Sequence, residues 1–94
     1  MPFLILCVDK PDSTELRMAT RPAHLEYIQG FMDSVVLAGP MLTDDGETMT
    51  GSVLIMDLPD RAAAEAFAAN DPYNKAGLFA SVSVSRWKKV LPAD

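Results

Sequence analysis

The chain has 94 residues, an apolar fraction of 49% and a net charge of −5, which describe one globular domain over residues 1–94 with no room for a second core. An acidic chain repels phosphate backbones, and its eight Lys and Arg are scattered apart from Arg86, Lys88 and Lys89, so nucleic acid is excluded as a partner. One cysteine, Cys7, excludes an internal disulfide and fits a reducing, cytoplasmic setting.

The first predicted element is a strand, Phe3-Leu4-Ile5-Leu6-Cys7-Val8, closed by Asp9, Pro11 and Asp12. Its unbroken hydrophobicity predicts a strand covered on both faces in the middle of a sheet, with Cys7 a buried, inert thiol. The run is too short to span a bilayer and lacks the basic flank of a signal peptide, so no membrane partner is expected. Ser13 to Arg17 reads as a separate helical turn or a surface loop. Thr20 reads as the N-cap of the first long helix, with Arg21 and Pro22 in a first turn where proline costs no hydrogen bond. Leu25, Ile28, Met32 and Val35 then recur at helical spacing, beside a stripe of His24, Tyr27 and Phe31.

Val35 to Ala38 reads as the second strand, bent or ended by Gly39-Pro40. Asp45-Gly46 is a hairpin turn signal, and the chain returns through the strand Gly51 to Met56. Pro59-Asp60 opens an alanine-rich helix whose Ala64, Phe67 and Ala68 share one face, and Asn70-Asp71-Pro72 stops it. Tyr73 to Gly77 predicts one helical turn with Gly77 at its C-terminal end. The last strand is expected from about Ala80 to Val90, with Val82 and Val84 facing one way and Ser81, Ser83, Ser85 and Trp87 the other.

Two strand–helix–strand halves joined by a hairpin predict the α+β class, as a ferredoxin-like βαββαβ plait: a four-stranded antiparallel sheet with both helices on one face. The other face is left uncovered, and the inner strands carry Val and Leu on both faces. Pairing of two sheets face to face would cover it, so a homodimer is expected.

Chemistry has few places to sit. His24 is the only histidine, and an imidazole takes and returns a proton near neutral pH when a carboxylate fixes its tautomer. Asp71 is the candidate carboxylate, although an Asp before a proline at a helix start also reads as an N-cap. The two roles can coexist, because a cap uses only some of a carboxylate's acceptor sites. One His and one Cys exclude a structural zinc site, and no phosphate loop or dinucleotide fingerprint is present, so no cofactor is expected. Ser81, Ser83 and Ser85 read as a polar edge or pocket lining rather than as nucleophiles.

Several segments in order carry a family resemblance. These are Arg21-Pro22-Ala23-His24-Leu25, Ala38-Gly39-Pro40, Gly51-Ser52, Asn70-Asp71-Pro72-Tyr73 with Gly77-Leu78, and Arg86-Trp87. Along essentially its whole length the chain resembles the YciI-like (YCII-related) domain proteins. The resemblance implies a dimeric α+β barrel and a catalytic His–Asp pair in one pocket, which fall here on His24 and Asp71. It further implies proton-transfer chemistry of lyase or isomerase type, without a cofactor, on a small cyclic or aromatic-derived acid or enol. Arg21 is then expected to bind an anionic group of the small-molecule ligand, with Ser83 or Ser85 supplying hydrogen bonds. The rival expectation is a non-catalytic small-molecule binding or accessory protein using the same pocket, and an oxygenase of the same architecture is a third.

Overall fold

The computed structural model describes residues 1–93, so the last residue of the expected 1–94 domain lies outside the described residues. The elements in chain order are β1 (Pro2–Asp9), α1 (Thr14–Gln29), a 3₁₀ turn (Met32–Ser34), β2 (Val35–Leu42), β3 (Met49–Asp57), α2 (Arg61–Asn70), α3 (Pro72–Lys75) and β4 (Phe79–Arg86). The strands form one antiparallel sheet in the order β2-β3-β1-β4, the ferredoxin-like plait expected from the sequence. No helix among the described residues is long and apolar enough to cross a membrane.

β1 lies inside the sheet as its composition requires, but within this chain only one of its faces is covered. Phe3, Ile5 and Cys7 are buried with Leu54, Met56, Phe67 and Tyr73, while Leu4 and Leu6 stay half-buried on the opposite face. Gly51 lets β3 pass close to β1, because a Cβ there would run into the Cys7 carbonyl oxygen and the Met41 side chain. That approach sets Ser52 opposite Cys7.

Three elements depart most from the sequence-based expectation. First, α1 is a single helix starting after Ser13, so Thr20 is not an N-cap and His24 stands well inside the helix. Pro22 lies in its interior, where loss of a backbone bond ordinarily costs about 3 kcal/mol. The turns before it are tied down by Arg17, whose backbone N–H bonds Ser13 and whose side chain is buried in an ion pair with Asp9. The helix also stops sooner, at Gln29, and Met32 belongs to the 3₁₀ turn. Second, β2 continues through Gly39-Pro40 to Leu42; it is an edge strand, where a residue without an N–H is tolerated. Third, β4 ends at Arg86 instead of reaching Val90. Its neighbour β1 begins at Pro2, whose carbonyl accepts the last bond, from the Trp87 N–H.

α2 lies against β1 and β4, whereas α1 finds its closest neighbour in α3. A cavity remains between α1 and the β2–β3 half of the sheet.

Candidate active site

Arg17, Arg21, His24 and Ile28 follow one another at helical spacing, so α1 turns them all toward that cavity. Asp71 sits where α2 ends and α3 begins, and its carboxylate accepts the Tyr73 N–H at 2.9 Å as the N-cap of α3. The same carboxylate receives the His24 ring: Nδ1 is 2.9 Å from Oδ1 and 3.1 Å from Oδ2. Both residues are buried, Asp71 to 2% exposure and His24 to 8%. The capping and pairing geometries therefore coexist on one side chain. His24 also stacks on the Tyr73 ring, with centroids 4.1 Å apart and planes 20° apart, so the cap that starts α3 also delivers the ring that supports the imidazole.

An ionised carboxylate can only accept, so the Nδ1 contact selects the tautomer with its proton on Nδ1. Nε2 is then the lone-pair nitrogen. Among the described residues it has no hydrogen-bond partner, and no buried side-chain nitrogen or oxygen there lacks one, so Nε2 keeps accessible surface on a side chain that lines the cavity.

The cavity measures about 320 Å³, within the usual range for small-molecule sites. Its lining is polar at Arg17, Arg21, His24, Ser52 and Tyr73 and apolar at residues including Ile28, Val35 and Leu54. Burial pushes the Tyr73 hydroxyl up, opposed by the charges of Arg17 and Arg21 and reinforced by Asp71 and Asp9. Burial also dominates at Cys7, pushed up to about 12, with the Asp71 charge adding to it and Arg17 opposing; this thiol is held neutral. Among the described residues no three of His, Cys, Asp and Glu converge as a metal site.

The structure thus brings His24 and Arg21 to one cavity, with Asp71 hydrogen-bonded to His24, and it does not bring Ser83 or Ser85 there. Those two pair with Leu6 and Leu4, which puts them exposed on the sheet face opposite the helices. The alternation along β4 is as expected, but Val82 and Val84 occupy the helix-side face, so the serines are not groups of this cavity. The sequence reading missed Arg17, Asp9, Ser52 and Tyr73. A seven-residue spacing from Arg17 to His24 was the available signal, hidden by starting the helix at Thr20.

Residues 1–88 match the YCII-related domain. The chain belongs to this family. It is 40% identical over 98 aligned positions to Protein YciI of Escherichia coli O6:H1 (strain CFT073), covering 97% of this chain and all of that protein. Among solved structures it is similar to the 5-chloro-2-hydroxyhydroquinone dehydrochlorinase TftG from Burkholderia phenoliruptrix AC1100, in complex with 2,5-dihydroxybenzoquinone. The TM-score is 0.87 at 40% identity, over 94% of each chain. An antibiotic biosynthesis monooxygenase shares the fold alone, with a TM-score of 0.57 and 14% identity over 95% of this chain and 97% of that one. In this YCII-related domain, the positions that the resemblance singles out, His24 and Asp71, are hydrogen-bonded to each other.

Proposed function

We propose that this YCII-related domain is a cofactor-independent enzyme of lyase or isomerase type, acting on a small cyclic acid or enol derived from an aromatic ring. The observation that carries this reading is the buried His24–Asp71 pair, whose histidine lines the cavity. His24 takes a proton from oxygen or carbon of the substrate at Nε2. Asp71 holds the ring in its tautomer and stabilises the imidazolium that forms. Arg21, which also lines the cavity, receives an anionic substrate group. Loss of hydrogen chloride, the reaction named for TftG, is chemistry of this kind: one proton leaves to a base and one chloride departs.

The test is turnover of 5-chloro-2-hydroxyhydroquinone and related hydroxylated rings by wild type and by His24→Ala. General-base loss lowers the rate by roughly 10²–10⁴-fold with the fold retained. A wild type that binds these rings and never turns them over leaves a binding protein instead.

The proposal extends to assembly and setting. Leu4, Leu6, Val53 and Leu37 share the sheet face away from the helices, and Leu37 is 52% exposed. A second copy packed there, sheet to sheet, completes a dimeric α+β barrel, and the single neutral thiol suits the cytoplasm. Light scattering at micromolar concentration is expected to give twice the 10.2 kDa chain mass. A monodisperse monomer sinks the barrel.

A further inference from the structure

The chain has two tyrosines, and their hydroxyls are used differently. Tyr27 gives its hydrogen to the Phe67 carbonyl at 2.9 Å. Tyr73, 1% exposed, finds no acceptor for its hydrogen among the described residues. The Arg17 guanidinium, 4.5 Å from the ring centroid, carries only donors and cannot take it. Packing does not call for the hydroxyl either. The stack on His24 at 4.1 Å and the edge contact with Phe79 at 5.9 Å need the ring alone. Burying a hydroxyl without an acceptor costs stability that phenylalanine would keep. The phenol hydrogen is thus unspent, on a side chain that lines the cavity.

The ring is also held in place. The Tyr73 N–H bonds the Asp71 carboxylate at 2.9 Å, and the same carboxylate fixes His24. Base and phenol therefore stand ring on ring at one cavity, with planes 20° apart. Burial pushes the Tyr73 hydroxyl up and keeps it protonated, as a donor must be. The charges of Arg17 and Arg21 work the other way, and they stabilise the phenolate once its proton has gone.

We propose that Tyr73 is the acid that works beside this base: its hydroxyl gives a proton to a substrate carbon, while His24 takes one from oxygen or carbon. This rests on the function proposed above and narrows it to tautomerisation of a small enol. The enol O–H bond breaks and its proton goes to His24 Nε2. The carbon–oxygen bond becomes a carbonyl, and the C=C electron pair takes the Tyr73 proton to form a C–H bond. The imidazolium then returns its proton to the phenolate through solvent, so nothing else is consumed.

The experiment follows, by proton NMR in heavy water, the ring hydrogens of 2,5-dihydroxybenzoquinone. Deuterium replaces them only when a ring carbon gains a deuteron and then gives up its proton, the two transfers assigned to Tyr73 and His24. Wild type is expected to speed this exchange. Tyr73→Phe keeps the ring and the stack, and is expected to lower the rate by about 10²-fold or more while the His24 ring signals stay in place. Should that variant not fold, wild type labelled at tyrosine Cζ decides: the probe is expected to move the Tyr73 signal and not that of Tyr27, whose hydroxyl is spent on Phe67. A folded Tyr73→Phe that exchanges at the wild-type rate, or a Tyr73 signal that stays still, overturns the inference and leaves the proposed function standing. So does a wild type whose His24 signals respond to the probe without any exchange. Silence of His24 and Tyr73 alike with millimolar probe overturns both.

Discussion

In the half of the sheet formed by β1 and β4, α2 sits on the strands through Ala64, Phe67 and Ala68, each no more than 6% exposed. In the half formed by β2 and β3, α1 turns Arg17, Arg21 and His24 toward the cavity, and Leu25 and the following Met32 stay about half exposed. Each half has a helix over it and the packing is opposite. Small side chains let α2 come close and expel water. Long polar ones hold α1 away from β2 and β3, and the space between them is the cavity. One half contributes dry core to a small domain with little core to spare, and the other gives some up for a site.

The sharpest way to break this contrast is to truncate one large side chain in each half. Phe67 packs edge-on to Phe31, with centroids 4.8 Å apart, and its carbonyl accepts the Tyr27 hydroxyl at 2.9 Å. Phe67→Ala is expected to cost about 3–5 kcal/mol, enough to leave a marginal domain largely unfolded. Met32→Ala, at a rim position 50% exposed, is expected to cost less than about 1 kcal/mol. Urea unfolding of both variants decides the matter, and equal losses would remove the distinction between a packed half and an open one.

A second, smaller effect measures how dry the boundary is. Cys7 lies on the helix-side face of β1 and is 2% exposed. Its thiol has a pKa pushed from 9.0 up to about 12, mainly by burial. The sign follows from linkage: above pH 9 the unfolded chain ionises this group while the folded one keeps it neutral. Stability therefore holds below pH 9 and falls as pH rises toward 12, by about 1.4 kcal/mol per unit once the unfolded thiol is ionised. Tyr27 and Tyr73, also pushed up by burial, add the same sign above about pH 10. Cys7→Ala is expected to flatten the slope between pH 9 and 10. An unchanged slope would mean that water reaches the thiol.

The plait was legible because strand and helix periods differ and because Asp45-Gly46 and Asn70-Asp71-Pro72 punctuate the chain. The candidate pair was legible in part: His24 and Asp71 came from the family resemblance and the needs of a directed base, not from periodicity. Their meeting could not be derived while the first helix was taken to start at Thr20, since that put His24 at the wrong end. What extends α1 back to Thr14 is tertiary, the Arg17–Asp9 ion pair, and local propensity does not encode it. Pro40 misled for a related reason, because a proline ends an inner strand but not an edge strand. Ser83 and Ser85 show the limit of alternation. It separates two faces without saying which one the helices cover.

The smallest stability effect belongs to the residue that joins the two halves. Asp71 closes α2, caps α3 through the Tyr73 N–H, and holds His24 Nδ1. Asn caps a helix about as well as Asp, so Asp71→Asn is expected to lose less than about 1 kcal/mol. Its amide carries no charge to stabilise an imidazolium and can donate where the carboxylate only accepts. The ring is then free to take the other tautomer, with the proton on Nε2, where it no longer acts as a base. Turnover is expected to fall by roughly 10²–10⁴-fold, as for loss of a general base. Asp71→Ala removes cap and orienter together and adds about 1 kcal/mol of destabilisation to the same loss of rate. Denaturation and turnover measured on the two variants separate the roles. If Asp71→Asn keeps wild-type turnover, the carboxylate serves the fold alone and the open half loses its catalytic claim.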